Sequence, residues 1–452
     1  MGRTVAAVAL TTPGFASNLL ARPTNCVGPA ERGSAVTTPR LLPDRAPGRP
    51  APADQAAVRR GNLGRVLRHL RDTGPCSRAQ IAADTGLNKA TVSSLVAELA
   101  ERGLVVAGDV HRGGSVGRPG RLVQVDGRGA CGIGVELNVD FIAVLVLDLL
   151  GEVVAERRVA LDVAARGAEG TLDEVARLVS AALAGLPGAN PAGLTVAVPG
   201  LVRSADGIVT HAPNLGWHDV PVVRMLEGRL GAGYAVHAEN DANLSAIAEW
   251  ATGPEARTPD LVYLTGEVGV GGGLIVDGRL LRGAAGLSGE VGHTALGDPT
   301  AVCGCGRRGC WETAVGLTAL LRLAADADDP VRDPGRDLET RLAELAARAD
   351  AGDRRTLAAL DQVGTALGTG AAVLINLVNP AVVLLGGYFA VLGRFLVGPM
   401  TAELRARVFG PDLAGARIEL STLGFTAAVR GGAHVALETV LDDPTLVPVP
   451  RS

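Results

Sequence analysis

Lysine occurs once in this chain, at Lys89, although arginine is abundant. Aromatic residues make up only 3% of it and methionine appears three times, so Ala, Val and Leu carry the apolar content. That bias reads as GC-rich codon usage and says nothing of function. No apolar run approaches the ~20 residues that a membrane-crossing helix needs, so no membrane partner is expected and a cytoplasmic location is. Cysteine is scarce, six in 452 residues. Cys26, Cys76 and Cys131 stand singly, which excludes the disulfide framework of a small secreted domain. A chain this long exceeds one compact core and implies two or three domains.

The other three cysteines lie together in GEVGHTALGDPTAVCGCGRRGCWE, Gly289 to Glu312. With His293, the thiols of Cys303, Cys305 and Cys310 form a set of three sulfurs and one imidazole. That is a closed tetrahedral site for structural Zn2+, with no position left for a reacting water. The C-x-C-G-x-x-G-C spacing needs glycine, because the chain must turn sharply to aim three sulfurs at one point. The alternatives are a pair of disulfides or unrelated core cysteines.

The net charge of −4 hides an asymmetry. Residues 1–130 hold 18 Arg or Lys against 9 Asp or Glu, leaving a net −13 on residues 131–452. A basic front on an acidic body suits a chain of which only the front meets a polyanion. Residues 1–54 are rich in Pro, Ala, Gly and Arg without helical or strand period, and are expected to be a disordered extension. Translation from Val36 or Val58 is an alternative reading of that end.

A winged helix-turn-helix is expected over residues 58–126. Leu63, Val66, Leu67 and Leu70 recur at helical spacing, and Ser77 to Gln80 form a capping box for a second helix. Asn88 caps a third helix, Lys89 to Arg102, whose core stripe is Val92, Leu95, Val96 and Leu99. Its outward set is Lys89, Thr91, Ser93, Ser94 and Arg102. Short strands at Leu104–Ala107 and Leu122–Val125 flank HRGGSVGRPGR. In such a fold the start of the third helix enters the major groove of double-stranded operator DNA. Asn88, Lys89, Thr91, Ser93 and Ser94 are therefore the candidate DNA contacts, with Arg118 and Arg121 of the wing directed at a minor groove. A three-helix protein-binding module with a solvated loop is the alternative.

From about residue 128 to 452 the pattern becomes α/β. CGIGVELN, FIAVLVLD and GEVVAERRVAL read as a three-stranded meander, followed by a helix (Leu172–Leu186), a strand (Leu194–Val198) and a strand-turn-helix in YAVHAENDANLSAIAEW. A glycine-punctuated hairpin covers 261–282. Helices fill much of 313–370, NPAVVLLGG is a strand with a glycine turn, and a last helix (Ala427–Leu441) packs back on the body.

G-E-x-G-H followed by C-x-C-G-x-x-G-C-W-E resembles the signature of the ROK family of sugar kinases and sugar-responsive repressors. The resemblance implies a two-lobed, actin-like ATPase (ribonuclease H-like) domain after the DNA-binding head. It also implies a set of hydroxyl-recognising side chains: Asn214 in H-A-P-N-L-G-W, Asn240 and Asp241 in E-N-D-A-N, Glu290 and His293 in the signature, and Glu312. His293 would serve metal and sugar through different nitrogens. In a kinase Asp241 would be the general base.

The phosphate loops separate the branches. Where the family's kinases have D-I-G-G-T-K, this chain has Glu136-Leu137-Asn138-Val139-Asp140-Phe141. Where they have G-T-G-I-G-G-G, it has Glu267-Val268-Gly269-Val270-Gly271-Gly272-Gly273. Lost glycines and hydroxyls and added carboxylates, Asp140 and Glu267 among them, disfavour ATP. The Gly386-Gly387 pair, which would sit under adenine, remains. The expected function is that of a sugar-responsive repressor, not an enzyme, acting as a homodimer or homotetramer and resembling the xylose and N-acetylglucosamine repressors of the family. A sugar kinase with a DNA-binding head, or a regulator that answers a partner protein, are the alternatives.

Overall fold

The computed structural model describes residues 54–110, 121–231, 233–410 and 415–449. The expected extension, apart from Asp54, and the wing tip with Arg118 lie outside the described residues.

The head holds α1 (Gln55–Thr73), α2 (Arg78–Thr85) and α3 (Lys89–Glu101). Helix α1 begins a full two turns before its apolar stripe, because Asp54 caps it by accepting from Ala56 N at 3.3 Å. The capping box of α2 is complete: Ser77 Oγ accepts from Gln80 N at 3.3 Å and Gln80 Oε1 from Ser77 N at 2.9 Å. Gly86 ends that helix at φ 69°. Asn88 Oδ1 accepts from Thr91 N at 2.7 Å to start α3. Both predicted stripes are buried. Strands β1 (Cys76–Ser77), β2 (Val105–Val110) and β3 (Arg121–Val125) form the antiparallel wing sheet in the order β1-β3-β2.

The body is built twice on one plan. In the first lobe β4 (Cys131–Leu137), β5 (Phe141–Asp148) and β6 (Val153–Ala160) form the meander, and β7 (Pro191–Val198) and β11 (Ala235–Asn240) extend it in parallel beyond β4. In the second, β12 (Leu261–Gly266), β13 (Val270–Val276) and β14 (Arg279–Leu280) form the meander, with β15 (Val382–Gly386) and β16 (Arg417–Leu420) added in parallel beyond β12. Strands β8 (Leu201–Arg203), β9 (Ile208–Ala212) and β10 (Trp217–Pro221) make a smaller sheet on the first lobe. Helix α4 (Val163–Ala184) starts nine residues earlier than its apolar period, across a break at Gly167, where φ is 70°.

The remaining helices are α5 (Val222–Leu230), α6 (Asp241–Thr252), α7 (Glu312–Val315), α8 (Leu317–Ala324), α9 (Leu338–Asp350), α10 (Arg354–Val378), α11 (Gly387–Val391), α12 (Gly393–Arg407) and α13 (Ala427–Asp442). By length and composition α10 could span a membrane, contrary to the sequence expectation. Its Ala359, Leu360, Val363, Leu367 and Ala371 are instead core residues of the second lobe.

Helix α13 ties the parts together. Its Val429, Ala433, Leu437, Val440 and Leu441 belong to one core with Leu63, Leu67 and Leu99 of the head and with Phe141, Leu145 and Leu147 of β5. The other face of β5, Ile142, Val144 and Val146, packs in the core shared with α4, so the strand is apolar on both faces. Polar contacts reinforce the joint. Glu438 on α13 pairs with Arg68 and, at 3.1 Å, with Arg71. Asp442 pairs with Arg68 at 2.7 Å. Arg102 donates to Val447 O at 2.6 Å and Thr445 O at 3.2 Å. Arg102 is therefore bound to the C-terminal segment and is not directed outward as its position on α3 suggested.

Burial works against the Glu438 charge, but His434, Arg68 and Arg71 outweigh it and hold the carboxyl at about 2, below its ordinary 4.5. Burial lowers His434 to about 4 from 6.5. Below pH 6.5 unfolding takes up a proton at His434, and below 4.5 a second at Glu438, so both groups remove stability on acidification. The thermal midpoint is expected to fall between pH 6.5 and 4 and further toward 2, and H434Q to flatten the upper part of that curve. R68A, which leaves Glu438 one guanidinium, is expected to cost about 2 kcal/mol in denaturant unfolding.

Candidate functional site

One cleft between the lobes gathers Asn214, Asn240, Asp241, Glu290, His293 and Glu312. They come from separate elements. Asn214 sits on the 3-10 turn Pro213–Leu215 between β9 and β10. Asn240 ends β11 and caps α6, accepting from Asn243 N at 3.1 Å while its own amide donates to Gly200 O at 3.1 Å. Asp241 is the first residue of α6, and its Oδ1 accepts from Ala242 N at 2.8 Å. Behind them the buried Glu239 takes Asn243 Nδ2 at 3.2 Å and Arg282 Nε at 3.0 Å, which fixes the turn. The strand-to-helix corner thus presents two polar side chains at a helix N-terminus.

Glu290, His293 and Glu312 arrive with the cysteine segment. Ligand atoms of His293, Cys303, Cys305 and Cys310 all lie within 4.8 Å of one another. Cys305 Sγ is 3.7 Å from Cys310 Sγ, and His293 Nδ1 is 3.8 Å from Cys303 Sγ. Four donors around one ion at Zn–S ~2.3 Å have edges of roughly 3.8 Å, so the set fits a four-coordinate ion. Gly306 and Gly309 adopt φ of 83° and 73°, the turns that the spacing required. Trp311, buried, donates from Nε1 to Ala366 O at 2.8 Å and anchors the segment on α10. His293 Nε2 lies 3.9 Å from Glu290 Oε2, on the side away from the cysteines. Glu312 joins the two features: Oε2 accepts from Val270 N at 3.0 Å and Oε1 lies 3.3 Å from Cys303 Sγ.

The cleft also takes in Asn138, Pro199, Gly200, Thr265 and Glu267. Pro199, Gly200 and Thr265 carry no sequence signal, since they reach the site only through sheet packing. Asn138 Nδ2 donates to Glu267 Oε2 at 2.8 Å. Behind them Glu136 is buried at the end of β4 with Oε2 unpartnered. Burial, then the charges of Glu267 and Asp241, push the Glu136 carboxyl well above its ordinary value. Burial and the Asp241 charge raise Glu267 to about 7. Burial raises Asp241 to about 6, against hydrogen bonds that favour its charge. Burial, Asp241 and Glu312 raise Glu290 to about 7. Asp140, by contrast, is exposed at the β4–β5 turn and outside the cleft. The Gly386-Gly387 pair has a packing reason of its own: a Cβ on Gly386 would lie 1.9 Å from the Tyr263 hydroxyl.

On the head, Lys89 is exposed at the start of α3 and Arg121 at the start of β3. Ser93 Oγ donates to Lys89 O at 2.9 Å, and Ser94 Oγ accepts from Arg59 Nη2 at 3.2 Å. The exposed start of α3 therefore offers Lys89, Asn88 and Thr91, with Ser94 already held from α1.

Residues 132–439 match the ROK family and residues 64–113 match the MarR family. The chain belongs to the ROK family. This ROK chain is 30% identical over 389 residues to a xylose repressor from Caldicellulosiruptor bescii, covering 84% of this chain and 96% of that one. It is 31% identical over 247 residues to a glucokinase from Halalkalibacterium halodurans, covering 53% and 74%. A solved ROK family transcriptional regulator, a homologue of the E. coli MLC protein, superposes with a TM-score of 0.69 at 25% identity, over 85% of this chain and 97% of that one. Relatives therefore include both regulators and kinases, and the regulators match over the head as well.

Metal analysis of protein purified without chelator is expected to give one ion per chain. C310S is expected to lose it and to lower the thermal midpoint by roughly 5 °C or more, since metal binding here is folding energy.

Proposed function

We propose that this ROK protein is a sugar-responsive repressor: the head holds operator DNA, and a sugar in the interlobe cleft changes that hold. The observation that carries the reading is a single chain in which the helix-turn-helix head and α6, the helix that Asp241 opens at the cleft, both pack on α13. Asn, Asp, Glu and His side chains around one cleft suit a polyhydroxyl ligand, because each meets hydroxyl donors or acceptors. The ion held by the cysteine segment is Zn2+, with His293, Cys303, Cys305 and Cys310 as its ligands. Its part is structural: it aims Glu290, His293 and Glu312 at the sugar.

Phosphoryl transfer is not part of this reading. A kinase cradles ATP with free backbone N–H groups and cations. Here Glu267 and Glu136 stand in that place. Asp241 at the cleft, the glycines of 269–273 and the Gly386-Gly387 pair are the features that favour a kinase.

Transmission runs along packed helices. Asp241 opens α6; Gly431 of α13 lies against Leu244 O of α6; Gly64 of α1 lies against Leu441 O of α13. A sugar that prefers one position of α6 would shift α13 and with it the head, provided its affinity differs between the two states. Two heads in a homodimer would read a palindromic site.

Fluorescence anisotropy with DNA upstream of the gene, across a sugar panel, tests this. Specific binding that one sugar alters by fivefold or more is expected, and indifference to every sugar would sink the reading. K89A is expected to weaken binding and reduce the salt slope by about 1. N214A is expected to weaken the sugar about tenfold while sparing DNA. R68A, which touches neither ligand, is expected to shrink the sugar-induced change. ATP-dependent loss of sugar above background would reinstate the kinase.

A further inference from the structure

The cleft is lined by four carboxylates, Asp241, Glu267, Glu290 and Glu312, and no Lys or Arg is among its described lining residues. Three of the backbone donors that could offset this are already used. Glu267 N donates to Gly269 O at 2.9 Å, Val270 N to Glu312 Oε2 at 3.0 Å, and Val139 N to Asn138 Oδ1 at 2.7 Å. Three amides of the two loops that would cradle an anion are therefore turned onto the protein itself. Asn138 Nδ2 donates to Glu267, and the nearby guanidinium of Arg282 is paired with Glu239. Glu136 stands behind Glu267 with an unpartnered oxygen, so a further acid backs the wall.

We infer that this cleft selects an unphosphorylated, uncharged sugar and rejects the phosphorylated form of the same sugar, with Glu267 as the specificity-determining residue. This rests on the sugar-responsive reading above and narrows it. A neutral polyol loses nothing against such a wall, because carboxylates accept from hydroxyls at any face. A phosphate monoester carries −1.5 to −2 charges and three acceptor oxygens. It finds no Lys or Arg among the described lining residues and meets at least one acidic group wherever it points, so no cationic partner offsets the repulsion between its charge and the ionised fraction of those groups. The closed loops also explain why a cleft related to kinase sites has kept its hydroxyl-binding corner and lost its phosphate-binding one.

The test is calorimetric titration of the full chain with D-xylose, D-glucose and N-acetyl-D-glucosamine, and with xylose 5-phosphate, glucose 6-phosphate and N-acetylglucosamine 6-phosphate. At least one neutral sugar is expected to bind, with its phosphate about hundredfold weaker or more. A phosphate that binds as tightly as its neutral partner overturns the inference and leaves the sugar-responsive reading standing. Failure of all six to bind overturns both. E267Q is expected to narrow the ratio of the two dissociation constants about tenfold. D140N, at an exposed position that folding does not depend on, is expected to narrow it by less, because the Asp140 charge acts on Glu267 from outside the cleft. An unchanged ratio in both variants removes Glu267 from the role.

Discussion

The closeness with which α13 approaches its neighbours is the constraint on which the structure depends. A Cβ on Gly431 would lie 1.9 Å from Leu244 O, one on Gly134 would lie 1.9 Å from Val429 O, and one on Gly132 would lie 2.2 Å from Ala433 O. Gly64 repeats this at the other end of the helix, 2.4 Å from Leu441 O. In each case backbone faces backbone, so no side chain can yield, and the interfaces exist only because hydrogen stands where a methyl would be. Helix α13 is buried along most of its length, and its buried Glu438 is met by charged partners from the head.

This packing decides what kind of molecule it is. A head joined by a loose linker would sample many orientations, and nothing in the body could bias it. Here the head has no separate core: Leu63 and Leu99 share theirs with β5 and α13. The buried Glu438, flanked by Arg68 and Arg71, adds a polar pin whose partners must stay in register because an unpaired charge there is costly. The proposed transmission from α6 to the head rests on this shared packing.

The cleft shows how an inherited site is changed without changing the fold. The corner at Asn240 and Asp241 is fixed from behind by Glu239 and Arg282 and by the bonds of Asn240 to Gly200 and Asn243. The loops at Asn138 and Glu267 are fixed by the bond between those two side chains. Between the two, the segment of the His293 and cysteine cluster supplies three more polar groups from the second lobe. Buried carboxylates this close are tolerated because burial and mutual repulsion push them toward neutrality, and because Asn138 satisfies one of them.

Much of this was legible in the sequence. Periodicity located most helices and strands, the Ser77 capping box and the Asn88 cap located the starts of α2 and α3, and the cysteine spacing located the candidate metal set, because each is written in residues a few positions apart. The sugar-site candidates came as a set from motif resemblance. Other placements depended on contacts far along the chain: Arg102 is drawn to Val447, Ser94 is met by Arg59, and Asp140 faces solvent while Glu136 takes the inner place. The apolar length of α10 was likewise undecided until its neighbours were known. Local spacing determines which elements form and which donors can converge. Which backbones meet closely enough to require glycine, and therefore that the head and α6, the helix that Asp241 opens, pack on one helix, was decided only by the tertiary structure, since such contacts join residues hundreds of positions apart.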